Sequence, residues 1–111
     1  MERIGDKRRY KRVRCTIPGS FKNLDSARGS SLVETTVSDI SEDGVRFRAN
    51  GFIPMHERLQ FRLNIPMKKP IDAVVQSSWI KELPHLNQYD IGGRFLTLSS
   101  EDKALIRQIA K

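Results

Sequence analysis

The sequence has little of what membrane proteins, disulfide-rich secreted domains and metal enzymes need. No apolar run approaches the roughly 20 residues of a membrane span, and no apolar segment follows the basic N-terminus to form a signal peptide. A single cysteine, Cys15, allows no internal disulfide, which indicates a reducing cytoplasm. His56 and His85 have no nucleophile or metal-ligand spacing near them. We therefore expect a cytoplasmic protein that is not an enzyme and holds no metal.

The remaining composition is that of one globular domain. The chain has 111 residues, of which 38% are apolar and 30% are charged. That length is sufficient for one hydrophobic core, and that balance of apolar and charged residues is typical of a folded chain rather than a disordered one.

Positive charge is concentrated at the N-terminus. The net charge is +7, and residues 1–14 hold seven basic side chains against only Glu2 and Asp6. Residues 1–9 lack an apolar periodicity, and we expect residues 1–12 to form a flexible basic arm. Such an arm indicates an anionic partner: phosphates on a small ligand, nucleic acid or a lipid surface.

Alternating apolar and polar residues predict about six short strands after the arm. The clearest case is Leu59, Phe61, Leu63 and Ile65, which alternate with polar neighbours. Ser99-Ser100, followed by two acidic residues, predicts the start of a helix over about 100–110, with Leu105, Ile106 and Ile109 on its apolar face. Short strands at this spacing favour a small antiparallel barrel over residues 13–111, covered by the terminal helix.

The segment Asp39-Ile40-Ser41-Glu42-Asp43-Gly44 lies between two predicted strands. Asp, Ser and Gly at these positions are typical of a tight turn. Gly44 is the position at which we expect either a positive φ or the close approach of another group. An EF-hand calcium loop is excluded, because its twelfth position would be Asn50 rather than a bidentate Glu and its flanks predict strands.

Three further positions interrupt the strand pattern. Pro18-Gly19 predicts a bend or bulge in the first strand, and Gly92-Gly93 predicts a bulge or a close approach in the last. Trp79, near the end of the fifth predicted strand, is more typical of a core residue than of a ligand contact.

Arg8 and Arg12 are four residues apart, so their guanidinium groups share one side of the segment. Arginine forms paired hydrogen bonds to phosphate and to the O6/N7 edge of guanine. Two such groups suit two phosphates, or one phosphate and one guanine.

Three motifs together resemble the PilZ domain family. They are Arg8-x-x-x-Arg12, then Asp39-x-Ser41-x-x-Gly44, then the segment 91–96 (Ile-Gly-Gly-Arg-Phe-Leu) before a terminal helix. The resemblance spans nearly the whole chain. It implies a bacterial receptor for cyclic di-GMP, built as a six-stranded antiparallel Greek-key barrel with a C-terminal helix.

The resemblance also implies a role for each motif residue. The arginines would hold phosphates and guanine edges, Asp39 would accept hydrogen bonds from a guanine, Ser41 would supply a hydroxyl, and Gly44 would leave room for the base. We expect Arg12 and Asp39 to be largely exposed to solvent without ligand. The expected ligand-binding residues are Arg8, Arg9, Arg12, Asp39, Ser41 and Gly44, with Lys7, Trp79 and Gly93 as second-tier contacts.

The expected output is a signal to an unidentified downstream protein, given when the ligand orders the arm. Two alternatives remain open. A small basic barrel that binds single-stranded nucleic acid would explain the charge, although the aromatic residues mostly occupy the apolar phases of strands and not an exposed stacking face. The second alternative is a PilZ-like module that binds only proteins. Loss of motif residues would be typical of such modules.

Overall fold

Six strands and one helix follow one another along the chain, as the sequence predicts. The computed structural model describes residues 12–25 and 31–109. The strands are β1 (Val13–Asn23), β2 (Val33–Ile40), β3 (Gly44–Ala49), β4 (Arg58–Leu63), β5 (Ile71–Leu83) and β6 (Gln88–Thr97). The helix is α1 (Ser100–Ile109).

All neighbouring strands are antiparallel, and they close into one barrel in the order β1-β2-β3-β6-β5-β4. The neighbour of β3 is β6 rather than β4, which makes the barrel a Greek key instead of an up-and-down meander. The ladder between β1 and β4 completes the closure and leaves no open sheet edge. The predicted six-stranded antiparallel Greek-key barrel with a C-terminal helix is confirmed.

The core lies inside the barrel and is filled by the inward phase of each strand. In β4, Leu59, Phe61 and Leu63 are at most 1% exposed, whereas Gln60 and Arg62 lie on the outer side. Burial of apolar area at this alternation is the main stabilising term of the fold.

Three phenylalanines from three strands meet at the centre of the core. The ring centroid of Phe47 lies 5.2 Å from that of Phe21 and 4.9 Å from that of Phe61, and the Phe21 and Phe61 rings are 5.7 Å apart. Aromatic pairs at these distances contribute about 0.5–1.5 kcal/mol each beyond the area that they bury.

The irregularity of β1 falls earlier than the sequence predicts. Pairing with β2 continues through Pro18-Gly19, and the register shift lies between Arg14 and Ile17. Pro18 lacks an N–H group, but its carbonyl still accepts a hydrogen bond of 2.9 Å from the Asn64 N–H. The proline is therefore accommodated without a break in the strand.

Helix α1 begins at the serine cap that the sequence predicts. The Asp102 N–H donates to Ser99 Oγ at 3.1 Å, which satisfies one of the unpaired donors of the first turn. Ile106 is fully buried, and Leu105 and Ile109 pack partly buried against the core, so the predicted apolar face is confirmed. At ten residues α1 is too short to cross a membrane, and the described residues contain no other helix that could do so.

Candidate functional site

The segment between β2 and β3 is a tight turn that is bonded largely to itself. The Ser41 N–H donates to the Gly44 carbonyl at 3.0 Å, and the Asp43 N–H donates to Ser41 Oγ at 3.2 Å. The Ser41 hydroxyl in turn donates to the Asp43 carboxylate. Ser41 is fully buried, so its hydroxyl fixes the turn from the inside. We call residues 39–44 the corner.

Gly44 is required where β3 passes β6. A Cβ atom at this position would lie closer than 3.0 Å to the Gly93 carbonyl oxygen, a separation that real Cβ atoms essentially never show. The Phe95 N–H also donates to the Asp43 carbonyl at 2.9 Å. The close approach that the sequence predicts at Gly44 is thus made by the backbone of β6, without a positive φ.

Asp39 is held by an ion pair that sequence reasoning missed. The Arg46 Nε lies 3.1 Å from Asp39 Oδ2, and the Asp39 side chain is only 17% exposed. The same Nε donates to Ser38 Oγ at 3.2 Å, and Arg46 Nη1 lies 3.7 Å from Asp90. The expectation that Asp39 is largely exposed is wrong, because Arg46 covers its carboxylate.

Strand pairing aligns five residues in one row across the barrel wall. Arg14 is the partner of Asp39, Asp39 of Arg46, Arg46 of Gly92, and Gly92 of Trp79. Directly paired residues project to the same face of a sheet. The row therefore brings two arginines, a carboxylate and an indole, each from a different strand, to one outer face of the barrel. The glycine of the fifth strand lies between the second arginine and the indole.

A surface cavity of about 440 Å³ adjoins this row. It is lined by residues of the first three strands: Arg14, Cys15, Thr16, Ser38 and Arg46. The Arg14 guanidinium and the two hydroxyls suit the cavity to an anionic, hydrogen-bonding ligand, whereas Asp39 and Asp90 balance the charge of Arg46.

The two second-tier positions on the barrel face in opposite directions. A Cβ atom on Gly92 would overlap the Trp79 indole, so Trp79 lies across the outer surface at Gly92 and is partly exposed. Trp79 is thus not the core residue that the sequence favours. A Cβ atom on Gly93 would instead overlap the buried side chain of Val75. The predicted close approach at the paired glycines is confirmed, and the associated register shift lies in β5, between Ser77 and Trp79.

The last residue of the arm lies beside the corner. Arg12 is exposed and directly precedes β1. The first residue of β1, Val13, pairs with Ile40, and Arg14 pairs with Asp39. The predicted contacts Lys7, Arg8 and Arg9 lie outside the described residues.

Cys15 lines the cavity between Arg14 and Arg46, and its thiol is shielded. Its Sγ donates to the Val37 carbonyl at 3.5 Å. Burial, and then the nearby Asp39 carboxylate, raise the pKa of Cys15 to about 11. The thiol is therefore protonated and unreactive at neutral pH. Within residues 12–25 and 31–109, no group of three or more His, Cys, Asp or Glu side chains is placed to hold a metal ion.

Fold and site together define a small Greek-key barrel with a polar, arginine-lined cavity beside the turn between its second and third strands. A sequence model of the PilZ domain matches residues 6–111. The chain therefore belongs to the PilZ domain family, and the resemblance inferred from its motifs is confirmed. A comparison with curated proteins gives no significant match.

Solved structures share this fold at low sequence identity. Bacillus subtilis MotI/DgrA, an inhibitor of motility, has a TM-score of 0.80 and 14% identity, over 95% of this chain and 50% of that chain. The PilZ domain of Escherichia coli YcgR with c-di-GMP has a TM-score of 0.71 and 20% identity, over 95% and 89%. The K. pneumonia MrkH–c-di-GMP complex has a TM-score of 0.72 and 17% identity, over 94% and 51%. The chain thus spans about half the length of MotI and MrkH.

Proposed function

We propose that this protein is a bacterial, cytoplasmic receptor for cyclic di-GMP. The observation that carries the proposal is the pairing of β1 with β2, which brings the end of the arginine segment beside the corner. Arg12 adjoins Val13, the partner of Ile40, and the next pair is Arg14 with Asp39. The last residue of the arginine motif therefore lies beside the second motif, although the two motifs are far apart in sequence. Two of the solved neighbours, YcgR and MrkH, are complexes with this dinucleotide.

The ligand's charge suits the basic side of the site. Cyclic di-GMP carries two phosphodiester charges, and we assign them to Arg8, Arg9 and Arg12, with Lys7 as a further cation. A charge-assisted hydrogen bond contributes about 1.5–3 kcal/mol. Two or three such bonds would contribute about 3–9 kcal/mol, whereas a micromolar affinity corresponds to about 8 kcal/mol.

The corner is assigned to one guanine. A carboxylate has about four lone-pair sites, so Asp39 can accept from the guanine N1–H and amino group while it keeps its bond to Arg46. Ser41 contributes through the turn that its buried hydroxyl fixes, and Gly44 through the close packing of β3 on β6. Trp79 offers a flat apolar surface in the same row, whereas Gly93 shapes the strand behind it.

The signal is proposed to pass through the arm. When the ligand fixes the arginines over the corner, the arm covers a different part of the barrel surface, and a separate downstream protein reads that change. This step is inferred from the sequence of residues 1–12, most of which lie outside the described residues.

Four of the aromatic side chains in the described residues give the nucleic-acid alternative no support. Barrels that bind single strands stack bases on exposed aromatic rings. Here Phe21, Phe47 and Phe61 are buried in the core. Phe52 is exposed, but its ring packs edge-on against Tyr89 at 5.8 Å.

Calorimetric titration of the purified chain with cyclic di-GMP tests the proposal. We expect saturable binding that exceeds binding of GMP, cyclic di-AMP and single-stranded RNA. Arg12→Ala and Asp39→Ala should each weaken binding by about tenfold or more, the equivalent of one charge-assisted hydrogen bond. Lys22→Ala, which removes an exposed cation from the far end of β1, is the matched control and should bind like the wild type. Equal binding of RNA and cyclic di-GMP would overturn the proposal in favour of the nucleic-acid alternative.

A further inference from the structure

The corner is joined to the C-terminal helix through a charged pair. Arg107 Nε donates to Glu42 Oε2 at 3.0 Å, and Arg107 Nη2 donates to Glu42 Oε1 at 2.9 Å. Both oxygens of the carboxylate are thus engaged by one guanidinium in parallel geometry. Glu42 lies between Ser41 and Asp43, at the tip of the corner, whereas Arg107 lies in the last turn of α1.

The helix side of this pair is firmly positioned. The residue next to Arg107, Ile106, has a fully buried side chain in the same core cluster as Ile40, which is the last residue of β2 and belongs to the corner. The Ser99 cap fixes the other end of α1. The guanidinium is consequently presented from a docked helix and not from a loose tail.

The corner side of the pair is shielded. The Glu42 side chain is 17% exposed, although Arg107 is 62% exposed. The hydrogen bonds from Arg107 hold the pKa of Glu42 below its usual range, with smaller contributions from the charges of Arg107 and Lys103. The carboxylate is therefore ionised at neutral pH and keeps both bonds.

We propose that Arg107 is a positioning residue for the ligand site: from α1 it holds Glu42, and through Glu42 the corner that carries Asp39 and Ser41. The proposal rests on the proposed function for its effect on cyclic di-GMP. Without Arg107 the tip of the corner has more freedom, and the ligand must order it during binding. Because such coupling is reciprocal, bound ligand should also strengthen the docking of α1.

The test compares two arginines that form pairs of the same geometry. Arg107→Gln removes the pair with Glu42. Arg62→Gln removes the pair between Arg62 and Asp72, whose two hydrogen bonds of 2.8 and 3.1 Å join β4 to β5 away from the corner. Titration with cyclic di-GMP should show binding about threefold to fivefold weaker for Arg107→Gln, the range that one partly exposed ion pair supports. Arg62→Gln should bind within about twofold of the wild type. Arg107→Lys, which keeps the charge but not the paired bonds, should fall between Arg107→Gln and the wild type.

A second measurement does not need the ligand. Amide hydrogen exchange at Glu42 and Asp43 should be faster in Arg107→Gln than in the wild type and unchanged in Arg62→Gln. Equal exchange and equal affinity in the two variants would overturn the positioning role. If the wild type binds no cyclic di-GMP, the proposed function fails, and the exchange rates alone then decide whether Arg107 orders the corner.

Discussion

Gly44→Ala is expected to destabilise the barrel strongly, because the contact that it disturbs is between two backbones. A Cβ atom at position 44 would lie closer than 3.0 Å to the Gly93 carbonyl oxygen and 3.3 Å from Arg94 Cα. A strand cannot rotate away as a side chain can, so β3 and β6 must separate locally. Overpacking of this kind typically costs about 1–3 kcal/mol, and we place this substitution in the upper half of that range. With about 4 °C of melting temperature per kcal/mol for a domain near this size, the expected decrease is about 8–12 °C.

Thermal unfolding followed by circular dichroism measures this effect, with Gly51→Ala as the control. A Cβ atom at Gly51 would have no neighbour within 4 Å, so its melting temperature should stay within about 2 °C of the wild type. If Gly44→Ala also melts within about 2 °C of the wild type but loses cyclic di-GMP binding, the packing argument is refuted. The glycine would then serve the ligand directly.

Three further predictions concern other parts of the site. Gly92→Ala should destabilise the protein, and adding Trp79→Ala should recover part of the lost stability. A double-mutant cycle should then give a coupling free energy of about 0.5–3 kcal/mol. Additive effects would contradict the packing of the indole on Gly92. The pKa of Cys15 is raised from 9.0 to about 11, so little of the thiol is ionised near about pH 8. Cys15 should therefore react with iodoacetamide about a hundredfold more slowly than the cysteine of an unstructured peptide. Equal rates would mean that the thiol is not shielded. Since the pKa of Glu42 is lowered on folding, its contribution to stability is present above the unfolded pKa and lost as the pH falls through the folded pKa. As the pH falls from about 6 to about 3, the free energy of unfolding of Glu42→Gln should therefore decrease less than that of the wild type. Chemical denaturation measures both free energies, and an equal decrease in the two proteins would count against the ion pair.

The strands could be predicted from the sequence because their signal is local. Alternation with a period of two indicates which side chains of β4 face inward, whatever β4 pairs with. The serine cap and the apolar residues of α1 are local signals in the same sense, and the structure confirms them.

The contacts that build the site could not be predicted in this way. Asp39 meets Arg14 and Arg46 because the strand register shifts in β1 and in β2. The sequence does not indicate where these shifts occur or how many residues they involve. The pair between Glu42 and Arg107 depends on how α1 docks on the closed barrel, and its partners are 65 residues apart. The alternating phase of β3 does place Arg46 on the outer side, but nothing local to it indicates which carboxylate it meets.

Backbone amide chemical-shift mapping by NMR locates the cyclic di-GMP site, which we place between the arginine arm and the corner. On addition of cyclic di-GMP, the largest shifts should fall on residues 1–14, on residues 38–46, and on Gly92 with its partner Trp79. Amides at the far end of β1, such as that of Lys22, and of its partner Gln60 in β4 should stay unchanged. Saturable shifts confined to that far end, or no shifts with any guanine dinucleotide, would contradict this placement of the site.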